Sequence, residues 1–157
     1  MLDICFSFTD DSGEYYRHPL VALTSVFENT RASISAHVLS DGSLTAEGRD
    51  AFIKLAERYG QRVSFYTVPE IQPDVLANVR AVFGVGSLFR LFIPELVSAS
   101  RVIYLDCDTI CNLDMDEFFS LIPDEVVFAG VGDIGISRRK EQRERLSAMR
   151  ISVDRYI

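Results

Sequence analysis

Nothing in the chain approaches the roughly 18 consecutive apolar residues that a membrane-spanning helix needs, so no integral membrane segment is expected. Positive charge is short as well: 16 Lys and Arg stand against 23 Asp and Glu, for a net charge of -7. That balance excludes a general affinity for nucleic acid or an anionic membrane surface, which needs clustered basic residues. It leaves room for a small anionic ligand held through a metal ion or one local basic group. The three cysteines, Cys5, Cys107 and Cys111, cannot all pair, and the last two lack the nearby Cys or His partners that a zinc site needs. Reduced, mostly buried thiols in a reducing compartment follow from this. Tryptophan is absent, and the two histidines, His18 at a helix start and His37 inside a strand, read as structural. There is no P-loop and no GxSxG elbow, and Gly84-Val85-Gly86 lacks the third glycine of a dinucleotide loop, with Phe89 in its place. The opening MLDICFSFTDD has no basic stretch of the kind that begins a signal peptide. A cytoplasmic chain, at most peripheral to the inner membrane, is the expectation.

What is present is an alternation. At 157 residues the chain has the length of one domain. DICFSF reads as a buried strand, followed by the acidic loop TDDSGEYY. A helix over 18–29 places Leu20, Leu23 and Phe27 on one face, with Pro19 in its first turn. A second strand covers 34–39. A helix then runs from a Thr45 cap to about Tyr59, with Phe52, Leu55, Ala56 and Tyr59 as its stripe and Gly60 as its stop. A third strand is expected over 63–68, a helix over 87–97 interrupted at Pro94, a fourth strand over 101–105, a short helix over 115–121 and a fifth strand over 125–130. Residues 138–150 are charged with few apolar positions and, if helical, largely solvated. Alternating strands and helices imply a mostly parallel sheet with helices on its faces. Ligands of such sheets sit beyond the carboxyl ends of the strands. Asp10 and Asp11 follow the first strand, Asp106 and Asp108 the fourth, and Asp133 the fifth.

The pair Asp106 and Asp108 is the most informative feature. Along extended backbone, residues two apart point the same way. Two converging carboxylates repel, and one would retain a proton unless a cation lay between them. Divalent Mg²⁺ or Mn²⁺ removes that conflict, and Mg²⁺ commonly takes one or two carboxylates plus the oxygens of a phosphorylated substrate. The bland alternative is a solvated turn after a strand. Haloacid-dehalogenase-like phosphatases also begin with a strand and an Asp pair, but their DxDxT places Thr two residues after the second Asp. Here Thr109 follows Asp108 directly, and the later GDxxxD metal pattern is missing at Gly132-Asp133.

Taken in order, DICFSFTDD, PLVALTSVFENT, ISAHVLSDG, GSLFRLFIPELV and RVIYLDCDTICNLDMDEFF resemble the nucleotide-sugar glycosyltransferases of family 8, over almost all of residues 1–135. This group includes lipopolysaccharide galactosyl- and glucosyltransferases and glycogenins. The resemblance implies a GT-A fold: a Rossmann-like, mostly parallel sheet with helices on both faces. It implies retaining transfer of a hexose from UDP-glucose or UDP-galactose to a glycan or lipopolysaccharide acceptor. Asp106 and Asp108 would then hold Mn²⁺ or Mg²⁺. Phe8, Thr9 and Asp10 would hold the uridine, Arg90 the sugar-diphosphate and the Cys107 backbone the ribose, while Asp133 would lie near sugar or acceptor. The loop after the first strand is about three residues longer than the family's DDNY version, so Ser12 to Tyr16 align poorly.

Family members are usually longer, and Ile157 stands where a further strand is expected. The expectation is therefore one nucleotide-sugar-binding domain over 1–157 that is C-terminally incomplete and lacks the family's third metal ligand, a His. Self-association through an exposed sheet edge would follow. The alternative function is a non-catalytic module that binds nucleotide and metal, or only a partner.

Overall fold

The computed structural model describes residues 1–71 and 84–130, together with 144 and 147. The chain divides into two compact units, 1–121 and 122–157. The first holds a four-stranded sheet of β1 (Leu2–Ser7), β2 (Ile34–Ser40), β3 (Arg62–Thr67) and β4 (Ile103–Tyr104) in the order β3-β2-β1-β4. Every pairing is parallel, with Ile4 opposite Ala36 in β2 and Ile103 in β4.

Strand alternation sorts the side chains onto two faces. Leu2, Ile4 and Phe6 of β1 and Ile34, Ala36 and Val38 of β2 pack with Leu23, Val26 and Phe27 of α1 (Arg17–Asn29) and Phe52 of α2 (Ala46–Arg58). On the opposite face Cys5 and Leu39 pack with Phe89 and Val97. Helical segments thus cover both faces, as a parallel sheet requires. His37 lies buried on the second face, with Nε2 2.9 Å from Asp3 Oδ1 and Nδ1 3.0 Å from the Tyr66 hydroxyl.

Local signals account for the element ends. The Thr45 hydroxyl accepts from the Gly48 N–H at 3.1 Å and starts α2. Gly60, at φ +63°, takes the left-handed conformation that stops it. The single helix expected over 87–97 is instead a 3-10 helix, Val85–Phe92, followed by the short α3 (Ile93–Leu96). Pro94 has no N–H to donate, and its ring would meet the Arg90 carbonyl in a continuous α-helix, so the break falls just before it. Three-residue periodicity also explains why Gly86 and Phe89 are the buried positions of the 3-10 helix. Asp114 caps α4 (Met115–Ser120), accepting from the Asp116 N–H at 3.0 Å.

Two expectations about strands need correction. The fourth is only Ile103–Tyr104, because a turn begins at Asp106. No strand forms over 125–130; there the Val126 N–H donates to the Pro123 carbonyl at 3.1 Å. Four apolar residues in a row do not make a strand without a ladder partner, and these have none among the described residues. The charged segment 138–150 lies outside the described residues, except that the backbone is helical at 144 and 147. Asp133 also lies outside them.

Candidate nucleotide-sugar site

The chain order fixes where a site can form. From β1 it moves outward through β2 to β3, then crosses back to β4 on the other side of β1. The order in which strands are added therefore reverses between β1 and β4, and the carboxyl ends at such a switch point are where parallel sheets bind ligands. The β1 loop carries Phe8, Thr9 and Asp10; the β4 loop carries Asp106, Cys107 and Asp108.

On the β1 side, the Phe8 ring belongs to the core, with its centroid 6.4 Å from that of Phe52, so what Phe8 can offer a ligand is backbone. Asp10 is 2% exposed. Its Oδ1 accepts from the Tyr15 N–H at 2.6 Å, and its own N–H donates to Ser43 Oγ at 2.7 Å. Its carbonyl accepts from the Gly13 N–H at 2.9 Å in a turn that the left-handed Gly13 permits. Asp10 Oδ2 is buried with no hydrogen-bond partner. Leaving a buried carboxylate oxygen unpaired is costly, and such an atom calls for a donor from outside the fold.

On the β4 side, Asp106 to Thr109 form a turn instead of continuing extended. The Thr109 N–H and hydroxyl reach the Asp106 carbonyl at 3.3 and 2.7 Å. The alternation of sides survives the turn: Asp106 and Asp108 are exposed, and Cys107 between them is buried with Sγ 3.6 Å from the Ser7 carbonyl. Among the described residues no group of three or more His, Cys, Asp or Glu converges. Two exposed carboxylates are still a suitable donor set for a hard divalent cation that fills its other positions with water and ligand phosphate oxygens. The pair thus fits the implied Mn²⁺ or Mg²⁺ as an open site and not as a closed cage.

Arg90 reaches the β4 side from the 3-10 helix. Its guanidinium lies 3.3 Å from Asp106 Oδ1 and 4.3 Å from the centroid of the Tyr104 ring, and its Nε donates to the Ser87 carbonyl at 2.8 Å. Both members of the ion pair are substantially exposed, so it contributes little to stability by itself. Gly86 stacks the 3-10 helix directly on the β1 loop: a Cβ there would stand 2.8 Å from Phe8 Cα and Thr9 N.

Tyr15 was not singled out in the sequence. Its ring, 41% exposed, lies 6.0 Å from Phe8 and 5.1 Å from His18. Partial burial raises its phenol pKa, and electrostatic repulsion from Cys107, Asp108 and Asp106 raises it further. No residue pattern marks it; only the loop length, which blurs its alignment, draws the eye there. Tyr104 could have been found, since it stands two residues before Asp106 in a strand.

Burial pushes the Cys5 and Cys107 thiols up to about 12 from 9.0, with Asp106 and Asp108 adding to the shift at Cys107. In the unfolded chain both ionise near 9.0; in the folded chain each keeps its proton until about 12. The stability they contribute is therefore whole below pH 9 and is lost as the pH rises toward 12. The expected slope is on the order of 1.4 kcal/mol per pH unit for each thiol. Thermal melts from pH 8 upward should show this fall, and Cys5→Ala should make it shallower; an unchanged slope would contradict the assignment.

The sequence profile described as glycosyl transferase family 8 matches residues 5–155. Comparison with the curated proteins finds no match. Among solved structures, an active-site mutant of LgtC is 22% identical with a TM-score of 0.68, covering 88% of this chain and 49% of that one. The galactosyltransferase LgtC in complex with donor and acceptor sugar analogs is 21% identical with a TM-score of 0.69, covering 92% and 51%. The bifunctional glycosyltransferase WbbM in its apo form is 22% identical with a TM-score of 0.62, covering 87% and 24%. The chain spans about half the length of LgtC. These likenesses establish a GT-A-type sheet, in agreement with the sequence. No described helix is long and apolar enough to cross a membrane.

Proposed function

The chain belongs to glycosyl transferase family 8, and from that premise we propose that its β1/β4 switch point binds the UDP-sugar donor of a retaining hexosyl transfer to a glycan or lipopolysaccharide acceptor. What supports the reading is that the loop after β1 holds a buried acceptor oxygen without a partner, and the turn after the adjacent β4 holds two exposed carboxylates, one of them paired with the Arg90 guanidinium. Each complements a different part of a nucleoside diphosphate sugar. Asp10 Oδ2 accepts an N–H from the base, which uracil can supply at its N3 position. The half-exposed Tyr15 ring offers a flat face beside it, and the backbone of Phe8, Thr9 and Cys107 borders the nucleoside. Asp106 and Asp108 hold Mn²⁺ or Mg²⁺, which supplies charge neutralisation to the departing diphosphate. Arg90 adds a second positive charge on the same side, toward the sugar-diphosphate. Asp133, which lies outside the described residues, is proposed for the sugar or acceptor end on the family resemblance alone.

Calorimetric titration of UDP, with and without Mn²⁺, tests the reading. Binding that requires the metal, with UMP much weaker than UDP, is the expected result. UDP-glucose and UDP-galactose should then compete. Release of free hexose from either would show that this chain turns over by itself, whereas binding without release would make it a donor-binding module. No binding under any condition would overturn the proposal.

A further inference from the structure

We infer that Tyr104 is a positioning residue of this site, acting through Arg90. The inference rests on the donor-site reading above. Tyr104 ends β4 two residues before Asp106, and its neighbour Ile103 is buried on the α1 face of the sheet. Alternation turns the Tyr104 ring to the other face, beneath the 3-10 helix. There it does two things at once. Its ring face carries the Arg90 guanidinium at 4.3 Å from the centroid, a cation–π contact that fixes the plane from which Arg90 reaches Asp106. Its hydroxyl lies 3.2 Å from Ser7 Oγ, which lies 2.9 Å from the Gly86 carbonyl.

The direction of this relay is settled by counting protons. The Gly86 carbonyl can only accept, so the one Ser7 hydroxyl proton goes to it. The Tyr104 hydroxyl must then donate to Ser7 Oγ. Tyr104 therefore ties together the end of β1, the tip of β4 and the start of the segment that carries Arg90. Without the ring, the Arg90 side chain retains its Nε bond to the Ser87 carbonyl, one turn away on its own helix, but nothing holds the guanidinium plane against Asp106. A flexible guanidinium must then be ordered when the donor binds, which weakens binding.

The test compares Tyr104→Phe, which keeps the ring and loses the hydroxyl, with Tyr104→Leu, which loses the ring. Mn²⁺-dependent UDP binding should fall about tenfold in Tyr104→Leu and change by less than about threefold in Tyr104→Phe. In an Arg90→Ala background Tyr104→Leu should have almost no further effect, because its role passes through the guanidinium. A second readout needs no ligand: the Arg90 side-chain proton resonances should carry a ring-current shift in the wild type and in Tyr104→Phe that is lost in Tyr104→Leu. If the Leu effect persists undiminished without Arg90, or if Leu binds like the wild type, the inference is wrong. If the wild type binds no UDP, the donor-site reading fails; the ring-current shift then still decides whether Tyr104 orients Arg90, and its absence would overturn that too.

Discussion

Alanine at both Asp106 and Asp108 should weaken Mn²⁺-dependent UDP binding at least about a hundredfold. Outer-shell partners of a metal already cost 10–100-fold in affinity when removed, and these residues are proposed as the ligands themselves. The change should be specific. Both side chains are exposed and sit on a turn whose bonds, from Thr109 to the Asp106 carbonyl, involve only Asp106 backbone. The lost Arg90 contact is an exposed pair and contributes little to the fold. The melting temperature of the double variant should therefore stay near that of the wild type while metal-dependent binding disappears. Removing two negative charges from a chain of net charge -7 would, on electrostatics alone, favour an anionic nucleotide. A loss of UDP affinity thus runs against the simple charge effect and separates coordination from bulk attraction. Retained metal-dependent binding in this variant would refute the role given to the pair.

The second large effect is expected at Gly86. A methyl group there would stand 2.8 Å from Phe8 Cα and Thr9 N and 3.0 Å from the Phe8 carbonyl carbon. All three are backbone atoms of the β1 loop and cannot rotate aside as a side chain could. Gly86→Ala should cost about 1–3 kcal/mol, the range for overpacking a well-filled interior. For a chain of 157 residues this amounts to a fall in Tm of roughly 2–4 °C per kcal/mol. The 3-10 helix can relieve the clash only by lifting off the loop, which moves the Ser7 contact at the Gly86 carbonyl and carries Arg90 with it. UDP binding should weaken together with stability. Gly84→Ala is the matched control: its φ is -66° and nothing lies within 4 Å of the added carbon. Equal melting temperatures for the two variants would contradict the close approach.

Much of this arrangement was legible in the sequence, and the limits have physical causes. β1, β2 and β3, both long helices, the Thr45 cap and the Gly60 stop were recoverable because each rests on local periodicity or on one residue's backbone preference. The strand over 125–130 was not, since a strand depends on a partner that local sequence does not name. Pro94 signalled a break, but not that the stretch before it would wind as a 3-10 helix, a choice tied to packing Gly86 and Phe89 on one side. Asp106 and Asp108 were argued from their spacing after a strand, and the roles of Asp10, Arg90 and Cys107 from a resemblance; Asp10 lies on the loop after β1, Asp106 and Cys107 on the turn after β4, and Arg90 on the 3-10 helix, paired with Asp106. Gly86 looked like a fragment of a dinucleotide loop; its use here is a close backbone approach, which only three dimensions reveal. Tyr15 escaped because a lengthened loop has no period to read.

Asp106 and Asp108 are proposed to hold a divalent cation against a nucleoside diphosphate. Diffraction at the manganese absorption edge from crystals grown with Mn²⁺ and UDP tests it most directly. The predicted result is an anomalous peak at bonding distance from both carboxylates and from the diphosphate, with the uracil beside Asp10 and Tyr15. A peak held by other residues, or UDP bound at the switch point with no metal near the pair, would contradict it.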